Sequence, residues 1–190
     1  MCGRYSANEK VNDWLNIRCR CKADGILRVG DIRPGERTPV IIAGHPAPLV
    51  VPMTWGIQGK GGLIINARKE TLWEKPTFRH LIEHRRCLVP ASCFYEWDSG
   101  KHKATLCGKD NDILFLAGIY QADADGGRFA IITEPADDVV KPIHDRMPVR
   151  IPETLVSDWL SDKERTAVIL ETASVPLCRE QREEQLSLWE

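Results

Sequence analysis

Apolar positions change period several times along this chain, and each change marks an element. Val11, Trp14, Leu15 and Ile17 to Cys19 recur at helical spacing behind Asn8, a residue suited to an N-cap, which predicts an amphipathic helix over residues 8–21. Residues 22–31 carry two glycines and no period and read as a loop, followed by the turn signal Arg33-Pro34-Gly35. The β-rich runs Pro39 to Ala43 and Ala47 to Met53, separated by Gly44-His45-Pro46, predict a hairpin. Gly59-Lys60-Gly61-Gly62 is a glycine-rich cationic stretch, and Leu63-Ile64-Ile65 after it reads as a short buried strand. Phe78, Leu81 and Ile82 mark one face of a helix that starts near Pro76 and carries Arg79, His80, His84, Arg85 and Arg86 around it. Strand-like segments follow at 87–90, 92–97, 104–107, 113–120 and 128–133, linked by Gly/Asp-rich turns. Residues 137–140 read as a helical turn, 152–160 and 162–170 as short helices, and 171–190 as a loosely docked acidic tail. The pattern predicts a single domain over residues 1–190, with a curved antiparallel sheet or barrel and peripheral helices.

Composition narrows the class without naming a partner. Hydrophobic residues make up 43% and charged residues 28% of the 190, so a packed core is expected. The net charge of −1 excludes a globally basic nucleic-acid binder, so an anionic partner must be met by a local patch. Apolar runs such as Ile113 to Tyr120 are too short to span a bilayer, and no membrane role is expected. Seven cysteines, an odd number, with no secretory apolar region at the N-terminus, predict reduced thiols and a cytoplasmic location. Cys19-x-Cys21 lacks the spacer and second pair of a zinc site, so no metal and no cofactor are expected.

Candidate chemistry begins at Met1-Cys2-Gly3-Arg4. Removal of Met1 would leave Cys2 with an α-amine and a thiol on adjacent carbons, a 1,2-aminothiol that condenses with an aldehyde to an imine and closes to a thiazolidine. The alternative is a small residue of no chemical consequence. In Phe94-Tyr95-Glu96-Trp97 a carboxylate sits among aromatics, suited to a general acid, or to an ordinary ion pair with a nearby arginine. His144, between Pro142 and Pro148, is a proton carrier or a hydrogen-bonded structural residue, and the neighbouring Arg146 has the fork that grips a phosphate. Asn66 and Arg68 stand two apart after the 63–65 run, an amide and a cation on one face if a strand continues, or simply a turn. The basic helix with Arg79 and Arg85 is either a solvated face or a phosphate-facing one.

Met1-Cys2-Gly3-Arg4-Tyr5, Thr54-Trp55-Gly56, Ile65-Asn66-Ala67-Arg68-x-Glu70-Thr71, Arg86-Cys87-Leu88-Val89-Pro90, Phe94-Tyr95-Glu96-Trp97 and Ile143-His144-Asp145-Arg146-Met147-Pro148 occur in the order of the motifs of one family. Over residues 2–160 the chain resembles the SOS-response-associated peptidase (SRAP) family. The resemblance implies an α+β fold with a curved antiparallel β-barrel-like core and peripheral helices, in a protein, expected as a monomer, that binds single-stranded DNA and captures an abasic site covalently. In that reading Cys2 is the nucleophile, Asn66 positions the sugar, and Glu96 and His144 move protons. Arg4, Arg68 and Arg146 would hold phosphates, Trp55 would stack on a base, and Gly56, Arg79 and Arg85 would complete the DNA-binding surface. Two segments depart from the family pattern: Asp31-Ile32-Arg33-Pro34-Gly35, with an acid where an amide is usual, and Ile57 to Gly62. Two other readings remain open from the sequence: a self-processing cysteine peptidase acting on its own Met1–Cys2 bond, and a non-catalytic single-stranded DNA-binding module.

Overall fold

Tyr5 and Ala7 turn inward on either side of Ser6 and form β1 (Tyr5–Ala7). Asn8 then caps α1 (Glu9–Arg18), its side chain accepting the Val11 N–H at 3.2 Å, and Val11 and Leu15 anchor the helix to the core. The structure, a computed structural model, describes residues 2–21, 29–123 and 126–180. Most of the loop expected at 22–31 therefore lies outside the described residues. The helix ends earlier than its period predicts, because Cys19 is extended and Arg20 donates its N–H to the Pro48 carbonyl at 2.8 Å. Sheet pairing takes over there as β2 (Arg20–Cys21).

β3 (Gly30–Ile32) leads into the expected turn, where Gly35 takes a φ of +86°, a conformation that favours glycine. The predicted hairpin follows as β4 (Arg37–Ile42) and β5 (Leu49–Trp55), paired antiparallel from Arg37↔Thr54 to Ile42↔Leu49. β6 (Ile57–Gly59) and β7 (Gly62–Ile64) make a separate two-stranded hairpin. The buried strand expected at 63–65 is thus corrected: Leu63 is 46% exposed, because the hairpin stands off the large sheet. β8 (Asn66–Arg68) and a 3-10 turn (Lys69–Thr71) precede α2 (Pro76–His84), which buries Phe78, Leu81 and Ile82 as its spacing predicts. Buried Arg86 closes that helix by donating to the Ile82 and Glu83 carbonyls.

The remaining strands are β9 (Arg86–Ala91), β10 (Cys93–Trp97), β11 (Lys103–Gly108), β12 (Leu114–Gln121), β13 (Arg128–Pro135), β14 (Arg146–Pro148) and β15 (Arg150–Ile151). They are followed by a 3-10 turn (Glu153–Leu155), α3 (Val156–Ser161), α4 (Thr166–Thr172) and β16 (Leu177–Arg179). β16 pairs with β11, so the tail is tied to a sheet edge at least to Arg179, contrary to the loose docking expected; residues 181–190 lie outside the described residues.

The architecture is a mixed α/β domain with several sheets and, among the described residues, four α-helices. The smaller sheet has the order β16-β11-β10-β1-β3. The larger runs β14-β13-β12-β9-β4-β5-β2, and a further pairing of β13 with β5 makes β5-β4-β9-β12-β13 a closed circuit. The expectation of a purely antiparallel core is corrected, since β2 with β5, β5 with β13 and β8 with β13 are parallel. Strand β13 is the hub: β12 and then β14 lie along one edge, and β5 and then β8 along the other. Tyr5, Trp55 and Phe129 pack in sequence between the two sheets, with ring centroids 5.3 and 6.2 Å apart.

A disulfide joins Cys93 and Cys107, which correct the expectation that the thiols are all reduced. The two residues are far apart in sequence and directly opposite in the β10–β11 ladder, a proximity that only the pairing register reveals.

Candidate functional site

The segment bearing Cys2 is fixed from both sides, because β1 lies between β10 and β3: Tyr5 faces Phe94 on one edge and Ile32 on the other. Cys2 has no solvent exposure, and its thiol points at the Arg4 carbonyl, 3.8 Å away. Burial pushes the thiol up to about 12, and the nearby Glu96 carboxylate adds to the rise. Asn66 reaches this segment from the large sheet, where β8 pairs with β13 at Asn66↔Ile131. Its Nδ2 donates to the Cys2 carbonyl at 2.9 Å. Its Oδ1 is buried and accepts no hydrogen bond from the described residues, an acceptor that an incoming donor would satisfy.

Glu96, buried on β10, projects with Phe94 to the inner face of the small sheet. Desolvation raises its pKa and the His144 charge opposes the rise, so the carboxyl holds its proton further toward neutral pH than an exposed glutamate. His144 ends the turn over 137–143, its N–H donating to Val140 at 3.0 Å. Its Nδ1 accepts the Arg146 main-chain N–H at 3.0 Å and lies 2.8 Å from Asp145 Oδ1. Neutral His144 in this geometry carries its proton on Nε2, whereas protonation of Nδ1 exchanges the main-chain donor for the Asp145 carboxylate. The structure therefore brings Cys2, Asn66, Glu96 and His144 together: Asn66 by a hydrogen bond, Glu96 by its field at the thiol, and His144 by its field at Glu96.

The expected DNA-binding set divides. Trp55 has no exposed surface; its ring lies between Tyr5 and Phe129 and its Nε1 donates to Ile65 at 2.9 Å, so it cannot stack on a base. Gly56 is also interior, with a φ of +123° that turns the chain from β5 toward β6. Arg146, 9% exposed, forks onto Glu70 at 2.6 and 3.0 Å and donates to the Thr133 carbonyl at 2.7 Å, so its phosphate-gripping face is already occupied by protein. These three expectations are corrected. For Trp55 and Arg146 the cause is that aromatic and forked side chains also serve a core, and local sequence does not separate the uses; Gly56 is there for its backbone conformation. Arg4 is ion-paired with Asp31, whose other oxygen accepts the Tyr95 hydroxyl at 2.8 Å. The acid at position 31 thus faces the cation two residues from Cys2. Arg79 pairs with Glu83 along α2, and Arg85 lies over the Tyr120 ring; both are exposed. Arg68 is exposed and has no ion pair among the described residues.

Two aromatic side chains that sequence reasoning did not select stand open: Trp73, shortly after Arg68, at 37% exposure, and Trp97, next to Glu96, at 36%. Their charged neighbours, Glu74-Lys75 and Asp98, were the available signal. Among the described residues no helix is long and apolar enough to cross a membrane.

A family model described as SOS response associated peptidase (SRAP) matches residues 1–190. The chain is 28% identical over 195 aligned positions to the abasic site processing protein YoaM of Bacillus subtilis, covering 93% of this chain and 86% of that one. It is 29% identical over 185 positions to the abasic site processing protein YoqW of the same organism, covering 86% and 81%. A solved structure from Bacteroides thetaiotaomicron superposes with a TM-score of 0.76 at 22% identity, covering 95% of this chain and 93% of that one, a likeness of fold.

Proposed function

The chain belongs to the SOS response associated peptidase family, and from that premise we propose that it captures abasic sites in single-stranded DNA through Cys2 after loss of Met1. The convergence of Asn66 and Glu96 on Cys2, with Cys2 and Glu96 buried, carries this reading. A ring-opened abasic sugar is an aldehyde, and the aminothiol of an N-terminal Cys2 is its trap.

The protonation states of the two Cys2 groups support an order for the steps. With its pKa near 12, the thiol is ionised on the order of one part in 10⁵ at pH 7, whereas a free α-amine, titrating near ~8, is about a tenth unprotonated. The amine therefore attacks first. The carbinolamine loses its hydroxyl as water, with Glu96 supplying the proton, and leaves a protonated imine. The thiol then adds to the imine carbon, its proton passing to the carboxylate just formed on Glu96, and the five-membered thiazolidine closes. Asn66 holds the Cys2 carbonyl still and offers its open Oδ1 to a sugar hydroxyl, and His144 exchanges protons with Glu96. Exposed Arg68 would meet a phosphate, and exposed Trp73 would take the stacking role first expected of Trp55. The closed strand circuit acts as a barrel-like support that keeps Asn66 in register. Asn66 grips the peptide after Cys2 rather than the Met1–Cys2 bond, which favours capture over self-cleavage as the use of these groups.

Intact-mass spectrometry with a single-stranded oligonucleotide carrying one abasic site tests the proposal. Protein beginning at Cys2 should give a heat-stable species at the summed mass less one water. Cys2→Ala should retain salt-sensitive binding without that species, and Cys2→Ser should yield an adduct only when borohydride traps the imine. An equally stable adduct from Cys2→Ala would remove the thiol from the mechanism.

A further inference from the structure

Sulfur and carboxylate groups distant in sequence share the outer face of the small sheet. Residues directly opposite in an antiparallel ladder project to the same side. Cys93 on β10 stands opposite Cys107 on β11, and Cys107 opposite Cys178 on β16. Glu180 continues the β16 pairing, its N–H donating to Thr105 at 3.0 Å, and two residues beyond Cys178 it returns to that face. The Cys93 and Cys107 sulfurs and a Glu180 oxygen lie within 4.8 Å of one another. Cys178 is a free thiol set against the Cys107 and Gly108 carbonyls, at 3.6 and 3.5 Å. Glu96 and Phe94 point to the opposite face, so this group is separate from the Cys2 pocket.

We propose that, once the Cys93–Cys107 bond is reduced, Cys93, Cys107 and Glu180 bind a thiophilic divalent cation of the zinc class, with Cys178 as fourth ligand. A dithiol or phosphine reductant supplies two electrons and is itself oxidised; the S–S bond breaks and two thiols form. The cation then displaces the thiol protons and forms metal–sulfur bonds. With zinc–sulfur bonds of about 2.3 Å, tetrahedral sulfurs stand roughly 3.8 Å apart, a spacing reached by rotating the two side chains away from each other. Thiolates select zinc-like ions over magnesium or calcium, and the single carboxylate is compatible with that choice. Buried Cys107 forms the dry floor of the site and exposed Glu180 its open rim. Either form staples β10, which carries Glu96 three residues from Cys93, to β11, and the metal form also ties in β16.

The test is a Co2+ titration of full-length protein reduced with a phosphine and freed of reductant under anaerobic conditions. The reduced protein should develop thiolate-to-cobalt charge-transfer absorption and tetrahedral visible bands that saturate at one equivalent and are bleached by Zn2+. Unreduced protein should not. Cys93→Ser with Cys107→Ser should abolish the bands, Glu180→Gln should weaken affinity at least about tenfold, and Cys2→Ala should leave them intact. Reduced protein without bands, bands that survive loss of Cys93 and Cys107, or bands lost with Cys2 would overturn the assignment. Should the double variant not fold, Glu180→Gln decides, because it leaves both cysteines in place: unchanged cobalt affinity of the reduced protein rejects the site.

Discussion

Replacing Arg146 with alanine separates a core clamp from a phosphate grip. The guanidinium bridges β14, β13 and the turn after β8 through Glu70 and Thr133. Its removal orphans the Thr133 carbonyl, on a residue with no exposure, at about 1–3 kcal/mol. It also breaks a forked pair to Glu70, whose 43% exposure lets that carboxylate rehydrate, so the pair adds only about 1 kcal/mol after screening. A total of about 3 kcal/mol lowers Tm by roughly 6–12 °C in a chain of this length. The loss depends on pH. The hydrogen bonds from Arg146 hold the Glu70 carboxyl below its usual range. The pair's contribution is therefore full above the unfolded glutamate value of about 4.3 and disappears as pH falls through the lowered folded value. Melting curves of Arg146→Ala and its parent should accordingly draw closer in acid by the share of the Glu70 pair and stay apart by the share of the Thr133 carbonyl. A phosphate contact predicts the reverse signature: an unchanged Tm and a salt dependence of single-strand binding shallower by about 0.7. That combination would refute the clamp.

Asp31→Asn should release Arg4 toward phosphate; single-strand affinity should rise at low salt and its log–log salt slope should steepen by about 0.7, and an unchanged slope would show that Arg4 does not face the nucleic acid. Glu96→Gln should slow adduct formation about 10²-fold and erase the decline in rate expected for the parent as pH rises through the raised Glu96 pKa. The same substitution should gain stability relative to the parent as pH climbs above about 4.3, because a carboxyl with a raised folded pKa stabilises the fold below the unfolded value and loses that contribution as it ionises; parallel pH–Tm curves would place Glu96 in a more polar setting.

Local chemistry made much of this fold readable in advance. Asn8 as a cap, the 44–46 hairpin turn, the inward face of α2 and the strand periods of β9 to β13 follow from interactions within a few residues. Cys2, Asn66, Glu96 and His144 were selected by reactivity and by the resemblance, whereas their meeting depends on β8 pairing with β13 and β1 with β10, which local sequence does not encode. Trp55 and Arg146 were misread for the complementary reason. A tryptophan or arginine beside a reactive segment has the same neighbours in sequence whether it faces solvent or fills the space between two sheets. The cysteine row on β10, β11 and β16 was invisible because its members meet only across strands.

The position of β13 has a consequence for how the molecule opens. Successive β13 amides point to opposite edges, so exposing the whole strand requires β12 and β14 to part from one side and β5 and β8 from the other, and Ile131 and Ile132 have no exposed surface. In deuterated solvent the Ile131 and Ile132 amides should therefore exchange on the timescale of global unfolding, while the β6–β7 hairpin, paired only within itself, exchanges early. Because Trp55 meets Phe129 and Asn66 meets Ile131 across long stretches of chain, closing this strand into place requires large loops to form first, and refolding should be slow compared with helical proteins of similar length.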